Sequence, residues 1–273
     1  MRYPFHFSHY IAGLWEGDGH ADRKHHTYLA LTFHEKNKPF VHFLQHRLGG
    51  TIRQKEKEHA LVLTFRKKDA LARLFAHMEH KLRTPKHSDL QDFPWNIGHK
   101  DTTCLLTNGW LAGFIDADGG FKIRWTKQKK HPHTHKILTK HRISVSFVLE
   151  QTKTHAKTGE SFAPIMQKIC TAFQVPLMER HHHGQLYWCV ELSGVKKLRR
   201  LIMYLERFPL LSAKRLDYED WKQAYVHICN GKHLTEEGKA FIWGLKHGMN
   251  RQRHMFCWKH LKSEAFLPSN GIG

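Results

Sequence analysis

Residues 29–35 read LALTFHE, with Leu29, Leu31 and Phe33 alternating against Ala30, Thr32 and His34. A period of two predicts a strand buried on one face. Residues 143–150, ISVSFVLE, repeat the pattern, with Ile143, Val145 and Phe147 alternating against Ser144 and Ser146. After each, the apolar spacing becomes helical, over residues 38–48 and 161–173. Two short strands follow in each place, 51–55 with 60–65 and 177–181 with 186–192. A further helix closes each series, over 68–80 and 195–208. Ahead of each series stands a short apolar helix, with Ser8 or His9 and then Asn108 as cap candidates. FKIRWT, residues 121–126, predicts a strand after the second of these helices, and Asp22, Lys24 and His26 are the aligned first-half positions. The order is α-β-β-α-β-β-α, written twice. The fold class expected is α+β: two pseudo-symmetric αββαββα repeats over residues 1–96 and 108–273, joined by a linker over 97–107. Beyond Pro209 helices continue to about residue 262, with Thr235 as a cap.

The two leading helices carry nearly the same phrase, IAGLWEGDGH from Ile11 and LAGFIDADGG from Leu111, 100 residues apart. Gly13 and Gly17 lie on one helical face, and Gly113 and Ala117 match them. Small residues at that spacing let two helix backbones approach closely. Packed about a pseudo-twofold axis, the two helices bring Asp18 and Asp118 together at their C-terminal ends. Exposed helix-end carbonyls beside two carboxylates make an oxygen-rich pocket suited to a hard cation such as Mg2+. A calcium-binding loop does not fit, because the twelfth position counted from Asp116 is Lys127, where glutamate is needed.

Charge narrows the partner. The chain of 273 residues holds 44 Lys and Arg against 24 Asp and Glu, a net charge of +20 that favours a polyanion. Residues 119–149 contain eight Lys or Arg and no acid, and Lys122, Arg124 and Arg142 fall on predicted strands rather than in a loop. A nucleic-acid surface explains this better than a carbohydrate site or a membrane, since no apolar run is long enough to span a bilayer. The five cysteines are scattered, none in a CxxC, which reads as reduced thiols. His131, His133, His135 and His181 to His183 read as polar surface contacts rather than zinc ligands, because neighbouring strand residues face opposite ways.

IAGLWEGDG and LAGFIDADG resemble the two signature motifs of the LAGLIDADG homing endonucleases. RTPKHSDLQDFPWN from Arg83, LSAKRLDYEDW from Leu211 and GKHLTEEG from Gly231 resemble further family segments. The first motif departs at Ile11, Trp15 and Glu16. The resemblance implies a monomeric, single-chain endonuclease whose two sheets form a saddle over a long double-stranded DNA target, cutting both strands to leave short 3′ overhangs. It implies Asp18 and Asp118 as metal ligands, with the carbonyls of Gly17 and Ala117 as further ligands. Lys86 and Lys214 become candidates for stabilising the transition state, and Asn37 and Gln151 for ordering water. Mg2+ is the implied cofactor, with Mn2+ as a substitute and Ca2+ binding without cleavage.

For DNA contact the outward positions are Lys24, His26, Tyr28, Thr32, His34, Arg53 and Lys55 in the first half. In the second they are Lys122, Arg124, Arg142, Ser144, Ser146 and Arg180. An RNA maturase acting on group I intron RNA is the alternative, and retention of both Asp18 and Asp118 favours the nuclease. Organelle encoding, in a mitochondrion or chloroplast, is the expected origin, and no targeting segment precedes the first motif.

Overall fold

A computed structural model describes residues 7–262 apart from 23, 128, 131, 135, 140 and 183, so His131, His135 and His183 lie outside the described residues. The first repeat runs α1 (Phe7–Asp18), β1 (Gly19–Ala21), β2 (Leu29–His34), α2 (Lys38–Leu48), β3 (Thr51–Lys55), β4 (Ala60–Phe65) and α3 (Lys68–Met78). The second runs α4 (Trp110–Asp118), β5 (Gly119–Thr126), a small hairpin of β6 (Lys129–Lys130) and β7 (Ile137–Thr139), and β8 (Arg142–Thr152). It continues through α5 (Ala163–Phe173), β9 (Met178–His182), β10 (Gln185–Ser193) and α6 (Val195–Arg207), and then α7 (Lys214–Cys229) and α8 (Glu236–His247). Two antiparallel sheets result, ordered β1-β2-β4-β3 and β5-β8-β10-β9.

The alternation read from sequence decides which face each sheet buries. Leu29, Leu31, Phe33, Leu61, Leu63 and Phe65 join Phe40, Leu44, Leu71 and Phe75 from the helices in one core. Phe121, Val145, Phe147, Leu149, Val190 and Leu192 do the same in the second half, and one contiguous core runs through both. The polar positions between them form the opposite face of each sheet.

Helices α1 and α4 pack against each other at the centre. A Cβ on Gly13 would lie 1.9 Å from the Trp110 carbonyl oxygen, and one on Gly113 would lie 2.0 Å from that of Tyr10. Backbone meets backbone at both points, so the small residues are needed for close approach. Gly119 ends α4 with an ordinary extended φ of −75°. Its lack of a side chain matters because a Cβ would crowd the Ile115 carbonyl at 2.7 Å.

The structure corrects three local expectations. After β1 the first half turns, so Lys24 and His26 are not strand positions. The Asp22 carboxylate accepts the Thr27 hydroxyl at 2.6 Å and the backbone N–H groups of Lys24, His25 and Thr27. Those bonds hold its pKa down at about 2. His26 takes a left-handed φ of 50° and packs edge-on against Phe93. Ser8 lies inside α1, where its hydroxyl pairs with His77 Nδ1 at 2.9 Å. The α4 cap is Gly109, and Asn108 acts one residue earlier by accepting Trp110 N–H at 3.0 Å. Thr235 caps α8 as expected, accepting Gly238 N–H at 3.1 Å.

Candidate active site and nucleic-acid interface

The crossing helices dictate the site. At their C-terminal ends a Cβ on Gly17 would meet the Ala117 Cβ at 2.1 Å and Asp118 Oδ2 at 3.1 Å. Asp18 and Asp118, half-buried, therefore sit side by side. Burial first, and then the Asp118 charge, push Asp18 up to about 7. Burial pushes Asp118 up as well, opposed by Lys214, Lys86 and the Gln151 amide. Gln151 Nε2 donates to Asp118 Oδ2 at 3.1 Å.

A lysine stands beside each carboxylate. Lys86 Nζ donates to the carbonyls of Gly17 at 2.7 Å and Gly19 at 3.0 Å. Lys214 Nζ donates to those of Ala117 at 2.8 Å and Ile115 at 3.0 Å. Burial lowers both lysine pKa values, while the surrounding carboxylates raise them. The Gly17 and Ala117 carbonyls, nominated from the resemblance as ligands, thus already accept an ammonium bond. Asn37 spans the halves, its Oδ1 accepting Ala213 N–H at 2.9 Å. With Asp18 and Lys214 it lines a cavity of about 620 Å³ that also touches Thr32, His34 and Arg251.

The other acid of each motif does different work. Buried Glu16 accepts the N–H groups of Arg83 at 2.9 Å and Thr84 at 2.5 Å, and Trp110 Nε1 at 2.6 Å. Asp116 accepts the N–H groups of Leu211 at 2.7 Å and Ser212 at 3.0 Å, the Ser212 hydroxyl, and Tyr10 O–H at 2.5 Å. Each acid therefore ties the chain just ahead of the site lysine to the opposite motif helix. The aromatic residues that complete these clasps, Tyr10 and Trp110, were not nominated from the sequence, although they too stand 100 residues apart.

On the helix-free face of the first sheet lie His20, Tyr28, Thr32, Thr51, Arg53, Lys55, Thr64 and Arg66 around one depression. The Arg66 guanidinium stacks over Tyr28 at 5.0 Å. Lys55 pairs with Glu58 at 2.9 Å, and His34 Nδ1 accepts Lys36 N–H at 3.2 Å. Sequence reading missed His20, Thr51, Thr64 and Arg66; strand parity shared with Arg53 and Thr32 was the available signal for Thr51 and Thr64. On the second sheet Lys122, Arg124 and Arg142 are exposed and Ser144 is half-buried. Ser146 shares their face but is buried, and its hydroxyl has no partner among the described residues, so it is not an exposed contact position. Arg180 is engaged with Glu150 and Glu191. Among the described residues no three His, Cys, Asp or Glu side chains form a metal-holding cluster, and no helix is long and apolar enough to cross a membrane.

A sequence profile described as LAGLIDADG endonuclease matches residues 111–225. A "Probable intron-encoded DNA endonuclease aI1" of Mycosarcoma maydis is 32% identical over 112 residues, covering 41% of this chain and 90% of that protein. The chain belongs to the LAGLIDADG endonuclease family. The "Intron-encoded DNA endonuclease aI3" of Saccharomyces cerevisiae is 24% identical over 307 residues, covering 93% of this chain and 72% of its own length. The LAGLIDADG meganuclease I-AabMI, solved bound to uncleaved DNA, shares the fold with a TM-score of 0.65 at 19% identity, over 89% of this chain and 99% of its own.

Proposed function

We propose that this chain is a site-specific endonuclease that hydrolyses both strands of a long, low-symmetry DNA target. The observation that carries this is the paired Asp18 and Asp118, half-buried at the crossing of two motif helices with a lysine beside each. A carboxylate pair pushed up by burial and mutual repulsion suits a cationic guest. Two carboxylates without a fuller protein cage fit Mg2+, which keeps much of its shell as water and substrate phosphate. Asp18 and Asp118 would hold it, and Mn2+ would substitute. Ca2+ would bind without supporting cleavage.

When bound, the cation supplies charge neutralisation at the scissile phosphates and a more acidic attacking water. The chain's own residues do the rest. Lys86 and Lys214, anchored on the helix-end carbonyls, present positive charge where the transition state gains negative charge. Gln151 holds Asp118 in place, and Asn37 lines the approach to the site. The basic, helix-free sheet faces grip the duplex on either side, Arg53, Arg66, Lys122 and Arg142 among them. Each aspartate serves mainly one strand, and short 3′ overhangs result. The chain acts as a monomer over two unlike half-sites, with residues 1–96 and 108–273 as the two repeats. Intron encoding in an organelle, mitochondrion or chloroplast, is the proposed origin.

A cleavage selection tests this. Purified protein meets a genomic or randomised duplex library with Mg2+ and separately with Ca2+, beside the Asp18→Asn, Asp118→Asn double variant. Discrete double-strand breaks with Mg2+ that vanish in the variant are expected. Breaks that persist in the variant would remove the paired-aspartate mechanism. Tighter binding to group I intron RNA than to any duplex, without cleavage, would favour a maturase.

A further inference from the structure

Two acids stand in the middle of the second sheet's helix-free face. Glu191 on β10 accepts Arg124 Nη2 at 2.7 Å and also Arg180 Nη2. Glu150 on β8 accepts Arg180 Nη1 at 2.7 Å, with His182 Nε2 at 3.8 Å from its other oxygen. The four side chains come from β5, β8, β10 and β9, and the ion pairs link them as Arg124–Glu191–Arg180–Glu150. Glu191 is the most sheltered member at 15% exposed, Glu150 and Arg180 are 25% and 28% exposed, and Arg124 is 51% exposed.

Register shows that the corresponding positions of the first sheet carry no acid. Gly19 pairs with Leu31 and Leu31 with Leu63; Gly119 pairs with Leu149 and Leu149 with Val190. Glu150 therefore occupies the place of Thr32, one residue past each Leu, and Glu191 the place of Thr64. The first sheet forms the same four-stranded order with threonine at both positions. In a chain of net charge +20 offered to a polyphosphate, two carboxylates on the binding face oppose affinity. What they supply is constraint. A guanidinium held by one or two of its five N–H groups keeps a fixed direction and leaves the remaining donors for a base edge.

We propose that Glu150 and Glu191 are specificity-determining residues of the second sheet. They restrain Arg124 and Arg180 so that these read base edges in one half-site instead of grasping phosphates of any sequence. The inference rests on the nuclease reading above. A merely structural ion-pair ladder would change melting temperature and leave base preference alone.

The test uses the full chain and the target recovered by the cleavage selection. Glu191→Gln and Glu150→Gln are compared with Glu191→Thr and Glu150→Thr, which install the residue the first sheet already carries. Affinity for the target and for a scrambled duplex is followed against salt, and cleavage is profiled on libraries randomised in either half-site. Scrambled-duplex binding is expected to tighten roughly threefold to tenfold, with the log–log salt slope steeper by about one for each further phosphate that a freed arginine neutralises. Discrimination is expected to fall roughly tenfold at one or two base pairs under the second sheet only. Folded variants with an unchanged profile, or with equal loosening in both half-sites, would overturn the inference. Wild-type protein that cuts no duplex would instead sink the nuclease reading, and this inference with it.

Discussion

Glu16 and Asp18 stand two residues apart on α1, and their surroundings give them different tasks. Glu16 is fully buried with three donors aimed at it, from Arg83, Thr84 and Trp110. Removing the acceptor leaves those donors buried and unpaired. Glu16→Ala should therefore cost about 3 kcal/mol or more of folding stability, measured by denaturant unfolding. Glu16→Gln keeps acceptor capacity and should lose less. Asp18 instead carries a charge that folding disfavours. Its folded pKa of about 7 lies above the ordinary carboxylate value of 3.8, so the folded state binds more protons between those limits. The Asp18 contribution to the stability of the metal-free protein should then fall as pH rises from about 4 to about 7, by on the order of 2 kcal/mol after allowing for solvent screening. Melting scans across that range with a chelator check the sign, and Asp18→Asn should flatten the slope. Added Mg2+ should stabilise the protein most at the high-pH end. A pH slope that Asp18→Asn leaves unchanged would show that the buried Asp18 carboxyl is not its source.

Among the elements, the crossing of α1 and α4 tolerates least change. A methyl group on Gly13 has no space, since the Trp110 carbonyl would lie 1.9 Å away and is backbone on a packed helix. Gly13→Ala should therefore lower stability by about 3 kcal/mol, although alanine is the better helix former. It should also impair cleavage at temperatures where the fold persists, because the aspartates ride on the helices that must part. Calorimetry beside a cleavage assay separates the two effects. This crossing was legible in the sequence because small residues recur at one spacing in both repeats. The bounds of α2, β3 and β4 were also legible, since clean apolar periods end at Gly49 and Gly50 and around the turn at residues 56–59. The stretch after β1 was not. Its polar run aligns with β5, yet Asp22 gathers four backbone and hydroxyl donors into a turn, and nothing in residue spacing reveals that competition. The roles of Glu16 and Asp116 were hidden for another reason: their partners lie 67 to 106 residues away. The Glu150 and Glu191 ladder needs the register of four strands before it can be seen at all.

At the scale of the molecule the two repeats are not independent bodies. Tyr10 O–H reaches Asp116 at 2.5 Å and Trp110 Nε1 reaches Glu16 at 2.6 Å, each from one motif helix to the other. Asn37 Oδ1 accepts Ala213 N–H at 2.9 Å, and buried His155 pairs with Asp89 at 3.2 Å. Tyr10, Trp15, Trp110 and Phe114 all belong to the shared core, so a repeat that opened alone would expose this seam to water. By the usual measure of about 25 cal/mol per Å² of apolar surface, a few hundred Å² of exposed seam disfavours separate opening by several kcal/mol. The halves should therefore unfold in one transition. Hydrogen exchange checks this directly: the most protected amides of β4 in the first half and of β8 in the second should report the same opening free energy. Gly113→Ala, which strikes the seam, should lower both values equally. A change confined to the second repeat would mean that each half is stable alone. The aspartate pair would then be held only as firmly as the contact between two separate bodies, too loosely to keep both strands of a duplex in register with it.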